Sequence, residues 1–349
     1  MSQTAGRIRN VHVFDFNYIP DQPLMREEAK PLIDALLRYQ QTGIANHALV
    51  LGSRGSGKSV LARYLMKIMT EPQQLDFAYV NCRHHNTSFK MLASLMGVSP
   101  RGCTLNELWL RYTDVHKEKV VFILDEIDMM NDKDRQKEIL YLISRSPQNY
   151  MAILLSNNPK FLGSLDESTT SSLQSEIVHF KNYDAFEIVR ILHDRAQVGL
   201  DFLPEQILDQ IAALTVKNTN SDVRVAIKTL YYWALEPEVS LDEHFEKARR
   251  DIVLDVIKDL NDKNLIILRA ALSKSDEYVK EIYECYRRLS ARVNEEPYSY
   301  VHFYSNLSYL QSLGLLLLIH TKLGRAYTKK IQLAFDPSIL RTAWQIRFG

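Results

Sequence analysis

Over its first half the chain alternates short runs of consecutive apolar residues with stretches of helical period. The runs His47 to Leu51, Phe77 to Val80, Val120 to Leu124, Met151 to Leu155 and Ile177 to Phe180 predict strands. Five unbroken apolar residues at Val120–Leu124 suit a strand buried on both faces, as in a parallel sheet. Between the runs, apolar residues at helical spacing (Leu32, Ile33, Leu36, Leu37) predict a helix from Arg26 to about Tyr39. Further helices are predicted from Val60 to Met69 and around Ser171–Gln174. Two more, Ser88–Met96 and Leu105–His116, flank a turn at Pro100–Gly102. Residues 1–25 have no period and read as an extended arm. Strands alternating with helices predict an α/β core with a parallel sheet.

From about Asp184 the strand pattern stops. Ala185–Ala196, Pro204–Leu214 and Val223–Ala234 read as the helices of a small helical domain, and a charged stretch, Glu236–Arg250, leads out of it. Long helical stretches follow at Ile252–Leu272, Glu277–Val293 and Ser299–Leu313, the last closed by Gly314. Leu315–Thr321 and Ala326–Leu333, separated by Lys322-Leu323-Gly324-Arg325, predict a β-hairpin. Three helices and a hairpin make the pattern of a winged helix. The expected division is 1–182 for the nucleotide-binding α/β domain, 183–250 for a helical lid and 251–349 for a winged-helix domain.

Composition narrows the function classes. A net charge of +1 means that any anion-binding surface is local. One such surface is legible: Tyr298 to Gly349 holds six basic residues (Lys322, Arg325, Lys329, Lys330, Arg341, Arg347) against one acid, Asp336. Four of the six flank the hairpin tip, where a wing would meet phosphates; a protein-binding winged helix with a solvated basic turn stays open beside that reading. Cys82, Cys103 and Cys285 are odd in number and lack metal-ligand spacing, which suits a reducing compartment. The chain opens without a signal peptide, and Leu313–Ile319 is too short to cross a bilayer, so a cytoplasmic location is expected.

The chemistry centres on Gly52-Ser53-Arg54-Gly55-Ser56-Gly57-Lys58-Ser59, a G-x-x-x-x-G-K-S phosphate loop between a predicted strand and a predicted helix that opens near Val60. Its glycines let backbone N–H groups curl around a phosphate, and the helix N-terminus adds positive potential. Lys58 is expected on the β- and γ-phosphates and Ser59 on Mg²⁺. Asp125 and Glu126 end the second buried strand, where ligands bind in such sheets. They are expected to hold Mg²⁺ and to align the attacking water, respectively. A pair of acids ending a strand is otherwise an ordinary solvated strand end; the upstream phosphate loop is what lifts this pair above it. Asp128 reads as surface. Ser156-Asn157-Asn158 ends the neighbouring strand and offers an amide to the γ-phosphate, although Asn-Asn-Pro is also an ordinary turn.

The order of parts resembles the AAA+ replication initiators, specifically the archaeal proteins related to the origin-recognition complex and the cell-division-cycle helicase loader. The distinctive pieces are FNYIPDQPLMREE before the phosphate loop, YVNCR after it, then SPRGCTLNEL, DEID and NSDVR. The resemblance implies an ATP/ADP and Mg²⁺ site with Asn157 as first sensor and Arg224 as a lid sensor. It also implies adenine packing by Tyr18, Ile19, Pro20 and Arg26. Double-stranded origin DNA is the implied partner, met by Tyr300, His302, Ser305 and Ser308 of the third winged-helix helix and by the wing. The initiator insertion near Thr87–Thr104, with Arg83, Lys90 and Arg101 as its basic residues, is a further contact. A replicative helicase and initiator paralogues are the implied protein partners. One departure stands out: family members have an arginine shortly before Ser-Ser-Leu that acts on a neighbour's nucleotide, and here the stretch is Asp166-Glu167-Ser168-Thr169-Thr170. The expected function is therefore a slow ATPase switch that binds origin DNA and helps to load the helicase. The alternative is a divergent paralogue that regulates while holding nucleotide as a structural ligand.

Overall fold

The computed structural model describes residues 8–70, 75–99, 102–131, 134, 137–274, 277–323 and 326–348. They form two compact units, Asn17–Tyr183 and residues 8–16 with Asp184 onward.

The first unit is a parallel five-stranded sheet with helices on both faces. In chain order its elements are α1 (Lys30–Thr42), β1 (Ala48–Gly52), α2 (Lys58–Thr70), β2 (Asp76–Asn81), α3 (Ser88–Leu95), α4 (Leu105–Val115), β3 (Val120–Asp125), α5 (Glu138–Ser144), β4 (Met151–Ser156), α6 (Glu167–Leu173) and β5 (Glu176–Phe180). The strand order is β2-β3-β4-β1-β5. The unbroken apolar runs follow from burial on both sides. Leu49, Phe122, Leu124, Ala152 and Leu154 face α3, α4 and α5, which contribute Met91, Trp109 and Ile143. Their neighbours Val50, Val121, Ile123, Ile153 and Leu155 face α1 and α2, which contribute Leu36, Tyr39 and Leu65. Side chains alternate across a strand, so both faces being covered demands apolar residues at every position. Because β1 lies beside β4 and β4 beside β3, their C-terminal ends, Gly52, Ser156 and Asp125, come out side by side.

The second unit is mainly helical: α7 (Ala185–Gly199), α8 (Glu205–Asn218), α9 (Val223–Leu235), α10 (Leu241–Lys258), α11 (Asp262–Ser273), α12 (Val279–Arg292), α13 (Tyr300–Ser312), the hairpin β6 (Leu316–Leu323) and β7 (Ala326–Leu333), and α14 (Pro337–Phe348). The arm differs from an extended segment: Val11–Phe14 form a 3₁₀ turn with Val13 and Phe14 buried. The charged stretch at 236–250 is no connector. Ser240 caps α10, which runs unbroken to Lys258 on a buried stripe of His244, Phe245, Ala248, Ile252 and Val256. The hairpin is antiparallel from Leu316↔Leu333 to Leu323↔Ala326, so pairing extends into the expected four-residue turn. Helices α11 to α13 and the hairpin surround one core containing Ile267, Ile282, Tyr286, Phe303, Leu307 and Ile331, and α14 adds Leu340 and Ala343.

Candidate nucleotide site and winged-helix surface

The phosphate loop leaves β1 at Gly52 and enters α2 at Lys58. Gly55 and Gly57 have φ of 75° and 87°, the left-handed region where a side chain is strained. A Cβ on Gly57 would also lie 2.0 Å from the Tyr183 hydroxyl. Lys58 is 7% exposed. Its Nζ donates to Gly52 O (2.9 Å), Ser53 O (2.8 Å) and Asn157 Oδ1 (2.9 Å). The lysine and the expected sensor amide thus meet, because β1 and β4 are neighbours. Ser53 Oγ and Asn182 Oδ1 are 2.6 Å apart, Ser56 is buried, and Arg54 and Val60 are half-buried on the loop and the first turn of α2.

The acids complete the site. Ser59 Oγ donates to Asp125 Oδ1 at 3.0 Å, placing a hydroxyl and a carboxylate together as a divalent cation requires. Tyr79 OH donates to Asp125 Oδ2 at 2.7 Å. Burial, then the charge of Asp125, pushes the Tyr79 phenol up, so it keeps the proton it donates. Glu126 has φ 54°, rare for a non-glycine residue and held where the surroundings over-determine it. Its carboxylate is gripped by Arg83, with Nη2 to Oε1 and Nε to Oε2 both 2.8 Å.

Asp128 corrects its surface reading. Its Oδ1 accepts the Ser156 hydroxyl (2.9 Å) and the Asn157 backbone N–H (3.0 Å), so it fixes the segment presenting Asn157. Its place three residues after Asp125 was visible in the sequence; its partner on another strand was not. Tyr79 and Tyr183 were missed for the same reason.

Of the arm residues, Tyr18, Ile19 and Pro20 are half-buried. The segment is tied to α2 by Arg63–Asn17 (3.2 Å) and Lys67–Asp21 (3.1 Å). Arg26 donates to Lys181 O (2.8 Å), pairs with Glu28 (3.1 Å) and lies 4.7 Å over the Tyr183 ring, so it joins the phosphate loop through Tyr183. Arg224 belongs to the other unit, where Asp222 holds its guanidinium at 2.5 and 2.9 Å. At the position where an arginine finger was expected, Ser168 Oγ donates to Asp166 at 2.6 Å. Hydrogen bonds from Ser168 and Thr169 pull the Asp166 carboxyl down to about 2.

The residues expected at DNA divide. Tyr300, His302 and Ser305 are exposed on α13, with Ser308 half-buried. Lys329 and Lys330 on β7 lie over Tyr304 (4.9 Å) and Tyr278 (5.5 Å). Lys90 is exposed on α3. Arg83 differs from its expected place on a DNA-facing insertion: it is committed to Glu126. Arg101 and Arg325 lie outside the described residues, and Lys322 is described by its backbone alone.

Known proteins share this arrangement. Residues 45–183 match the AAA domain family, and residues 255–343 match the CDC6 C-terminal winged helix domain family. The ORC1-type DNA replication protein 1 of Archaeoglobus fulgidus is 27% identical, with 97% of this chain and 91% of that protein aligned. The structure of the Aeropyrum pernix ORC1 protein in complex with DNA superposes with a TM-score of 0.72 at 23% identity, covering 99% of this chain and 98% of that one. The ADPNP–ADP complexes of the Aeropyrum pernix ORC2 protein superpose with a TM-score of 0.61 at 23% identity, covering 98% and 99%. Among the described residues, no helix is long and apolar enough to cross a membrane.

Proposed function

We propose, from the premise that this chain is an AAA protein of the ORC1/CDC6 replication type, that it is an ATP-dependent, DNA-binding replication initiator. The observation that carries the nucleotide half is the convergence of two pairs at the ends of β1, β3 and β4. Lys58 meets Asn157 at 2.9 Å, and Ser59 meets Asp125 at 3.0 Å. The first pair suits a γ-phosphate bound by a cation and a neutral amide. The second suits Mg²⁺, which when bound would neutralise phosphate charge and orient the triphosphate. Tyr79 holds the Asp125 carboxylate, and Asp128 holds Asn157. Glu126 is the group we assign to aligning water, and it must exchange its Arg83 partner to do so. That requirement suits a slow switch: hydrolysis alters the populations of DNA-binding states and does not drive rapid turnover. The α13 helix and the wing lysines are the duplex-binding elements, and a replicative helicase is the partner handed on.

A second reading has one observation in its favour. Ser168 and Asp166 occupy the place of a finger arginine, so the chain lacks the usual means of activating a neighbour's ATP. It would then regulate at DNA with nucleotide as a structural ligand. Single-turnover hydrolysis separates the two. The switch reading expects measurable cleavage by the wild type and at least about 10²-fold less by Glu126→Gln, with ATP binding unchanged. Equal, near-zero rates in both proteins would favour the structural-ligand reading.

A further inference from the structure

The outward face of α13 carries a second kind of information. The thirteen residues of this helix include no Lys, Arg, Asp or Glu. Its buried side is Phe303, Leu307 and Leu310. One flank carries Tyr300, Val301 and Tyr304, which are 45%, 76% and 36% exposed, beside the exposed polar residues His302 and Ser305. Adjoining on one helix, these three form a continuous contact surface rather than scattered single residues. The stripe is also held still: the Tyr300 ring packs edge-on against Tyr283 (5.1 Å between centroids), and Lys329 sits over the Tyr304 ring.

Charge complementarity selects the ligand. From Tyr298 through Phe335 the sequence has no carboxylate, whereas Lys322, Arg325, Lys329 and Lys330 all fall in the hairpin. An apolar stripe in an acid-free, lysine-bearing module fits an anionic partner with an apolar group on its surface. In duplex DNA the only such group on the major-groove floor is the thymine C5 methyl. Guanine is read by Arg or Lys, and α13 has neither. Adenine is read by Asn or Gln, but the Asn306 amide turns back to donate to His302 O at 2.8 Å, and Gln311 stands in the last turn of α13, away from the N-terminal end that meets bases. Helices of this motif meet bases with their N-terminal residues, where Val301 stands.

We infer that the Tyr300–Val301–Tyr304 stripe of α13 selects thymine-rich duplex by apolar contact with thymine methyl groups, while the wing lysines hold the phosphates. The inference rests on the DNA-binding reading proposed above and assigns its base preference.

The test compares the full chain, with ATP and Mg²⁺, on an alternating dA·dT duplex and on its dA·dU counterpart, which differs only by the methyl group. The expected result is about fourfold weaker binding for each methyl contacted when uracil replaces thymine. Val301→Ser, at an exposed position, should narrow the difference between the two duplexes without altering the salt dependence. Lys330→Ala, which leaves the Lys329 contact with Tyr304 in place, should lower the salt dependence and keep the thymine preference. Equal affinity for both duplexes, with salt-dependent binding intact, overturns the inference and leaves the DNA reading standing. A preference undiminished by Val301→Ser overturns its assignment to α13. No binding to either duplex removes the DNA reading itself and, with it, this inference.

Discussion

At the scale of single residues, the site is a set of side chains drawn from separated stretches and locked by mutual hydrogen bonds. Lys58 Nζ brings a positive charge to the loop and donates to Gly52 O and Asn157 Oδ1, contacts that alanine cannot make, so Lys58→Ala should weaken ATP binding about 10- to 100-fold, measured by titration of a fluorescent nucleotide. An unchanged affinity would remove the lysine from the phosphate site. Arg83 offers a contrast. Its guanidinium is spent on Glu126, so Arg83→Ala should leave the salt dependence of duplex binding unchanged while altering the single-turnover hydrolysis rate. His47 gives a pH prediction. It is buried with Nδ1 accepting the Ala152 N–H, and burial lowers its pKa from 6.5 to about 4. The unfolded chain therefore takes up a proton near pH 6.5, and the folded chain does so only near pH 4. The stability due to neutral His47 is full above that window and falls as the pH drops through it, by up to about 3 kcal/mol. Urea unfolding across the window should show the slope, and His47→Gln should flatten it.

At the scale of elements, the N-terminal arm is the most specific case. Arg195 is buried on α7 and donates to Val13 O and, at 2.9 Å, to Asp15 O. The arm lies so close to Gly199 that a Cβ there would come 2.3 Å from Val13 Cγ2. Gly199→Val should destabilise this packing by about 1–3 kcal/mol and expose the amides of residues 8–16 to hydrogen exchange. Unaltered protection would mean that the arm is not held by that contact. How far each element was legible depended on where its partners lie. Strands β1, β3 and β4 were readable because burial on both faces forces unbroken apolar runs such as Val120–Leu124. The phosphate loop was readable because its chemistry is contiguous. Helix α10 was obscured because acids and bases fill its exposed side and dilute the stripe from His244 to Val256. Helix α14 went unread although Asp336-Pro337 is a helix start and Ile339, Leu340 and Ala343 have its spacing. Among its described residues the arm carries only two buried side chains, too few for a period. Tyr79, Arg83 and Asp128 stayed hidden because their site partners lie on other strands, and strand order is not written locally.

At the scale of the whole molecule, a chain of net charge +1 has no global attraction for nucleic acid. Its duplex affinity must come from local cations. Replacing Lys329 and Lys330 together should reduce the slope of log affinity against log salt by about 2, near one per lost phosphate contact. Beyond local charge, the nucleotide bound in the α/β unit is predicted to set the affinity of the chain for DNA. This coupling is tested most directly by measuring duplex affinity at fixed salt with ATP, with ADP and without nucleotide, for the wild type and for Lys58→Ala. The predicted result is a difference of at least about fivefold between ATP and ADP that vanishes in Lys58→Ala, with a reciprocal change in nucleotide affinity when duplex is present. Identical duplex affinities in all three states of the wild-type protein would contradict it.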